Sequence, residues 1–133
     1  MKIWTEEELI NGGYRLRNAE ITNVSLNFKD HGVLTLGFTL SGGGWSAVYG
    51  GYVLGRGYLG AKNFVGYASG LEAIMRIMDV VGVDDLIEMK GKHVRVATKG
   101  LGHSVKIIGN FIKDEWFDYE SFFEDEKPPL VED

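Results

Sequence analysis

The run Val33-Leu34-Thr35-Leu36-Gly37-Phe38-Thr39-Leu40 sets an apolar side chain at every second position from Leu34 onward, with Thr or Gly between. A two-residue period of this kind marks a strand with one buried face. Upstream, Lys29-Asp30-His31-Gly32 is a short polar connection ending in glycine, which reads as a hairpin loop. Before it, residues 19–28 alternate less regularly, with Ile21, Val24, Leu26 and Phe28 set among Thr22, Asn23, Ser25 and Asn27. Downstream, Gly42-Gly43-Gly44 turns the chain into a third apolar run over residues 45–54. The N-terminal half is therefore expected to be a three-stranded antiparallel meander.

Outside this meander the periodicity changes. Residues 4–11 carry Thr5 followed three residues later by Glu8, a capping-box spacing, and stop at Gly12-Gly13, which predicts a short helix. Residues 55–69 keep no period and are expected to form a long ordered loop, a length that is uncommon unless the loop has a use. Ser69 and Glu72 repeat the capping-box spacing. Leu71, Ile74, Met75, Met78 and Val81 then share a helical face, and Gly82 supplies the stop. A helical turn over residues 84–89 leads to a hairpin of strands at 93–98 and 104–108. Residues 114–123 mix Trp116, Phe117, Tyr119, Phe122 and Phe123 with acids, the pattern of a short amphipathic helix. The expected class is α+β: an antiparallel β-sheet (three-stranded N-terminal meander plus C-terminal hairpin) with one main amphipathic helix and short terminal helices. Residues 1–126 form a single domain in this reading, and 127–133 a flexible acidic tail after Pro128-Pro129.

The bulk composition narrows the function. A chain of 133 residues with 44% hydrophobic and 25% charged residues matches one ordinary globular domain. No cysteine is present, so disulfides, thiolate metal sites and thiol chemistry are excluded. Glu6, Glu7 and Glu8 stand where a signal peptide would be basic, and no run approaches the length of a membrane span, so no membrane partner and a cytoplasmic location are expected. The net charge of −5 conceals an asymmetry. From Asp114 to Asp133 nine acids stand against Lys127 alone, a local charge of −8, while residues 1–113 carry thirteen Lys and Arg against ten Asp and Glu, or +3.

Glycine is the main anomaly: of 19, eleven fall between Gly37 and Gly70. One explanation is structural, through turns and bulges in a curved sheet. The other is functional, because a bare backbone lets a ligand approach and offers its amides to anionic oxygens. Among these glycines stand Trp45, Tyr49, Tyr52, Tyr58, Phe64 and Tyr67, with Arg56 and Lys62. Rings stack on bases and the two cations suit phosphates, so these eight residues are the candidate ligand-binding set. Gly55, Gly57 and Gly60 give a literal dinucleotide fingerprint, but no helix opens on it, which removes the Rossmann reading. His31, His93 and His103 lie in or beside turns without a metal-ligand spacing. Asp84 and Asp85 suit a helix N-cap, and Gly44-Trp45-Ser46-Ala47-Val48 lacks the second glycine of a nucleophile elbow. No catalytic constellation or cofactor motif emerges, and a binding protein is expected rather than an enzyme.

The motifs Gly51-Tyr-Val-Leu, Gly70-Leu-Glu-Ala-Ile-Met-Arg-Ile-Met-Asp-Val-Val-Gly-Val, Met89-Lys-Gly-Lys-His-Val-Arg-Val and Ile108-Gly-Asn-Phe-Ile-Lys-Asp-Glu-Trp-Phe together resemble a family of small tailed-phage and prophage proteins of unassigned function. The resemblance covers most of residues 19–118 and implies a phage accessory protein acting in the host cytoplasm. It supplies no catalytic residues. Three functions are compatible with the residues, of which the first is the expected one and the others are alternatives. The first is a homo-oligomer that sequesters a small nucleotide-type signal of a host defence system. The second is a single-stranded DNA-associated protein with an acidic tail, and the third an inhibitor that anchors on a host protein through Trp116, Phe117, Phe122 and Phe123.

Overall fold

The first strand, β1 (Arg15–Asp30), is sixteen residues long and is used twice. Its second half pairs antiparallel with β2 (Val33–Gly42), which pairs in turn with β3 (Trp45–Arg56). A two-residue strand, β4 (Val65–Gly66), lies on the outer edge of β3, and α2 follows it (Ala68–Val81, with α1 at Glu6–Asn11). The first half of β1, residues 15–20, pairs with β5 (His93–Thr98), and β6 (Ile107–Asn110) and β7 (Trp116–Asp118) extend the sheet from there. The last element among the described residues is α3 (Tyr119–Asp125). The computed structural model describes residues 1–30, 32–57, 63–100 and 104–125, so the expected tail at 127–133 lies outside the described residues.

The α+β class is present, but the arrangement differs from a meander plus a separate hairpin. One seven-stranded sheet runs in the order β4-β3-β2-β1-β5-β6-β7, curled into a half-barrel. Two missed stretches account for this. Residues 15–18 extend β1 beyond its expected start at Ala19 and give β5 its partner. Residues 116–118, expected to be helical, form β7 because Trp116, Phe117 and Asp118 are all buried and pair with β6. The loop expected over 55–69 likewise contains β4.

Bulges set the curl. Thr22 is the extra residue between the Ile21–Leu40 and Asn23–Thr39 pairs, just past the point where β1 changes partners. A bulge there bends the strand and increases its twist. Gly51 is extra on β3, and Gly50 and Gly51 adopt φ of 102° and 82°, a left-handed region that L side chains avoid. The bend carries β3 round to the far side of the sheet, where one parallel bridge joins Tyr49 to Val105 ahead of β6.

Inside the curl, Ile21, Leu36, Phe38, Leu40, Ile77, Val94, Val96 and Ile108 are fully or almost fully buried. Burial stabilises by about 1.5–3 kcal/mol per large apolar side chain. Helix α2 packs on β3, β6 and β7, and Gly70 lets it seat: a Cβ at that position would lie 2.6 Å from the Leu54 Cα. Its start differs from expectation. Tyr67 is the N-cap, without a side-chain bond, Ser69 Oγ is buried with no partner, and Glu72 binds Arg76 at 2.7 Å instead of closing a capping box. Its end at Gly82 (φ 88°) and the Thr5–Glu8 capping box of α1 form as the sequence indicates. Asp85, not Asp84, caps the 3₁₀ turn at Leu86–Met89.

A second, smaller core lies on the outer face of β5 and β6, where Leu9 of α1 meets Ala97, Ile107 and Trp116. Arg95 fastens this side. Its Nε and Nη2 donate to the carbonyls of Asn110 and Lys113, both at 2.9 Å, its Nη1 lies 3.4 Å from Glu6, and its guanidinium sits 4.7 Å from the Trp116 ring. Charge-assisted bonds of this kind contribute about 1.5–3 kcal/mol. Arg95→Ala is expected to lower unfolding free energy by about 2–4 kcal/mol in urea titration, with Arg95→Lys recovering little because lysine lacks the fork. Among the described residues no helix is long and apolar enough to cross a membrane.

Candidate functional site

Strand register decides which side chains leave the barrel. Leu36, Phe38 and Leu40 of β2 point inward, so the alternate residues Thr35, Gly37, Thr39 and Ser41 point out. Opposite them on β3 stand Val53, Gly50, Val48 and Ser46, and on β1 Asn27, Ser25 and Asn23 continue the same rows. This outer face carries hydroxyls, amides and two glycines, with Glu20, the β1 partner of Ser41, as the charged side chain at one edge, and Val48 is 64% exposed near its centre. Glycines at 37 and 50 leave a shallow bare strip across the two strands. A surface of this kind donates and accepts hydrogen bonds and admits a flat ligand close to the backbone.

Cations and rings flank the face. At one end Lys29 is exposed, Arg56 pairs across to Val33 and Val65, and Phe64 is 57% exposed with its ring 6.5 Å from Phe28 in an edge contact. At the other end Trp45 belongs to the inward set with Ala47 and Tyr49: it packs against the main core and lies over Gly42, where a Cβ would be 2.2 Å from the indole, with the Arg17 guanidinium 6.0 Å from the ring, so it is not part of the outer face.

The structure divides the eight residues singled out from sequence. Tyr49 is fully buried, stacked on Phe38 at 5.8 Å, and Tyr52 and Tyr67 are also buried. Tyr119 covers both Tyr49 and Tyr52, at 5.1 and 5.2 Å, and Phe123 covers Tyr52 at 5.1 Å. The faces of Tyr49 and Tyr52 are thus occupied by protein. Trp45 is half-buried, Arg56 half-buried, and Phe64 open, while Tyr58 and Lys62 lie outside the described residues. The glycines have structural work nearby: Gly55 approaches the Val65 carbonyl and Gly57 the Phe64 ring, so β4 can lie on β3.

Burial pushes the Tyr49, Tyr52 and Tyr119 hydroxyls up from the ordinary tyrosine value. The unfolded chain would ionise these groups near pH 10. Stability is therefore expected to hold below about pH 10 and to fall as pH rises from there toward the folded-state values. Tyrosinate absorbance and near-ultraviolet circular dichroism should change together in an alkaline titration. Early ionisation of all tyrosines with the fold intact would contradict this burial.

Sequence reasoning missed a second feature. A cleft of about 200 Å³ opens where β5 leads toward β6, lined by Tyr14, Thr98, Lys99, Ser104, Lys106, Asp118 and Glu120 among others. Lys106 is ion-paired with Glu120, whose hydrogen bond and charge raise the lysine pKa. Burial, then Asp118 and Glu120, raises that of Tyr14. Asp118 is buried and already engaged, accepting from Trp4 Nε1 at 3.0 Å and the Ser121 amide at 3.2 Å. Lys99 lies 4.8 Å from the Tyr14 ring centre. The sequence signal was present in the lysines either side of the predicted turn, but nothing in their spacing showed that α3 would meet them.

His93 is exposed, 3.7 Å from Glu20, and His31 and His103 lie outside the described residues. Among the described residues no three His, Asp or Glu side chains gather as a metal site requires. Comparison of the chain with protein-family profiles, curated proteins and solved structures finds no match.

Proposed function

We propose that the chain binds single-stranded nucleic acid across the outer face of β2 and β3. The observation that carries this reading is the connectivity. A bent β1 is shared between β2 and β5, an α-helix lies between β3 and β5, and a parallel bridge brings β3 against the segment leading into β6. That connectivity, within a seven-stranded sheet, resembles the five-stranded, partly open Greek-key barrel that takes oligonucleotides and oligosaccharides on its second and third strands and the adjoining loops. Topology alone does not make a function, so the face itself must support it. Its hydroxyls and amides suit sugar and base edges, Phe64 offers an open ring for stacking at one end, and Lys29 and Arg56 stand at the same end.

The charge layout sets the expected strength. A body of +3 and an uncharged central face favour few phosphate contacts, so affinity should be modest and its salt dependence shallow. Fluorescence anisotropy with labelled oligo-dT, the same sequence as a duplex, and a neutral oligosaccharide tests the proposal. Preferential binding of the single strand supports it, and binding of none of the three at low salt ends it.

One observation favours a second reading, the sequestering of a small nucleotide-type ligand by an oligomer. The Tyr49 and Tyr52 hydroxyls are buried without a hydrogen-bond partner, and an unmet hydroxyl of that kind costs about 1–3 kcal/mol. Tyr119 and Phe123 cover both rings, so a polar ligand would recover that cost only by displacing α3. Calorimetry against cyclic dinucleotides and ADP-ribose derivatives, with native mass spectrometry for the assembly, separates the two: saturable heat here with no oligo-dT binding favours sequestration.

A further inference from the structure

We propose that the cleft between Tyr14 and Lys106 is a phosphate-binding site, and that the Glu120 carboxylate occupies it in the free protein as an internal stand-in for that phosphate. The inference rests on the single-strand reading for its ligand, a phosphodiester of the bound strand.

Four observations lead there. The cleft has a volume of about 200 Å³, which suits a phosphate and part of its sugar and is small for a stacked base. Two ammonium groups, Lys99 and Lys106, and the hydroxyl side chains of Tyr14 and Ser104 line it, a donor set for anionic oxygen. One anion is already seated, because Glu120 pairs with Lys106 from α3. The cleft also adjoins β3 by chain continuity: Ser104 and Lys106 flank Val105, the residue bridged to Tyr49 of β3.

The other carboxylate in the wall does not oppose an incoming phosphate in the same way. Asp118 is held by the Trp4 indole and the Ser121 amide, so its charge is partly met and its position fixed by β7. Glu120 is different. Its side chain is 53% exposed and Lys106 is 42% exposed, so Glu120 can swing to solvent without moving α3. The backbone of α3 remains anchored by Phe122, which is buried in the main core. Exchange of one carboxylate for one phosphate at Lys106 is then a side-chain event.

Glu120→Gln and Lys106→Gln, singly and together, test this with labelled oligo-dT by anisotropy across a salt series, and with inorganic pyrophosphate by calorimetry. Unchanged thermal midpoints confirm that each variant is folded. Glu120→Gln should bind oligo-dT about two- to five-fold more tightly, the range of an exposed ion pair released. Its dependence on log salt should steepen by about 0.7, one single-strand phosphate contact. Lys106→Gln should weaken binding and flatten the slope, and the double variant should match Lys106→Gln. If wild type binds oligo-dT and Glu120→Gln changes neither affinity nor slope, the cleft proposal is overturned and the single-strand reading survives. If no form binds oligo-dT but Glu120→Gln binds pyrophosphate more tightly than wild type, the cleft stands as an anion site and the single-strand reading falls. Binding of neither probe by any form overturns both.

Discussion

A chain ending at Lys113 is expected not to fold. The lost segment begins with β7, whose Trp116 and Phe117 are 8% and 2% exposed, and continues into α3, whose Phe122 is 1% exposed. Phe117 and Phe122 belong to the main core and contact each other at 5.6 Å, while Trp116 belongs to the outer core with Leu9. Truncating one buried Phe or Trp to Ala costs about 3–5 kcal/mol. Loss of all three amounts to about the whole stability of a typical domain, 5–15 kcal/mol. Circular dichroism with urea titration should find no cooperative transition in this chain, whereas one ending at Asp125 should keep it. A stable chain ending at Lys113 would instead leave these aromatics free to act as anchors for a host protein.

The second large effect concerns binding. Val48→Glu with Thr39→Glu sets two carboxylates side by side on the outer face, since residues 39 and 48 are directly paired. Neither side chain points into the core, and surface substitutions of this type usually change stability by about 0.5 kcal/mol or less each. Facing a phosphodiester, however, like charge costs up to several kcal/mol, and each 1.4 kcal/mol is tenfold. Oligo-dT affinity should fall about ten- to a hundredfold while the thermal midpoint moves little. Phe64→Ala should cost less, on the order of 1–3 kcal/mol if one base stacks there. Full retention of affinity in the double-glutamate variant would move the interface off this face.

Local patterns were legible where one interaction decides the outcome. Thr5 and Glu8 announced the first helix, Gly82 the end of α2, and Leu34 to Leu40 the central strand with its inward set. What the pattern could not carry was long-range pairing. Residues 15–18 read as polar and irregular because Leu16 packs on the outer face under α1 while Ala19 faces the main core, so β1 has apolar residues on both sides. Trp116 and Phe117 likewise face different cores, which removed the alternation that would have marked β7. Ser69 had the spacing of a cap, but the close seat of Gly70 on Leu54 starts α2 earlier.

The candidate site was misjudged for a related reason. Tyr49 and Tyr52 lie in a glycine-rich strand, and composition does not say which side of a strand a ring takes. Register does: Tyr49 pairs with Phe38 and Tyr52 with Leu36, both inward. The residues that do face out, Thr35, Thr39, Ser46 and Val48, carry no chemistry distinctive enough to stand out in the sequence. Only the strand order gives them a shared surface.

Backbone amide chemical shifts recorded during titration with oligo-dT test the central claim most directly. Perturbed amides are expected to cluster on Thr35, Thr39, Ser46 and Val48 and on the flanking Lys29 and Phe64, with those of Leu71 and Met75 on the exposed side of α2 unmoved. Perturbation confined to α2, or none at saturating strand, would contradict the proposed face.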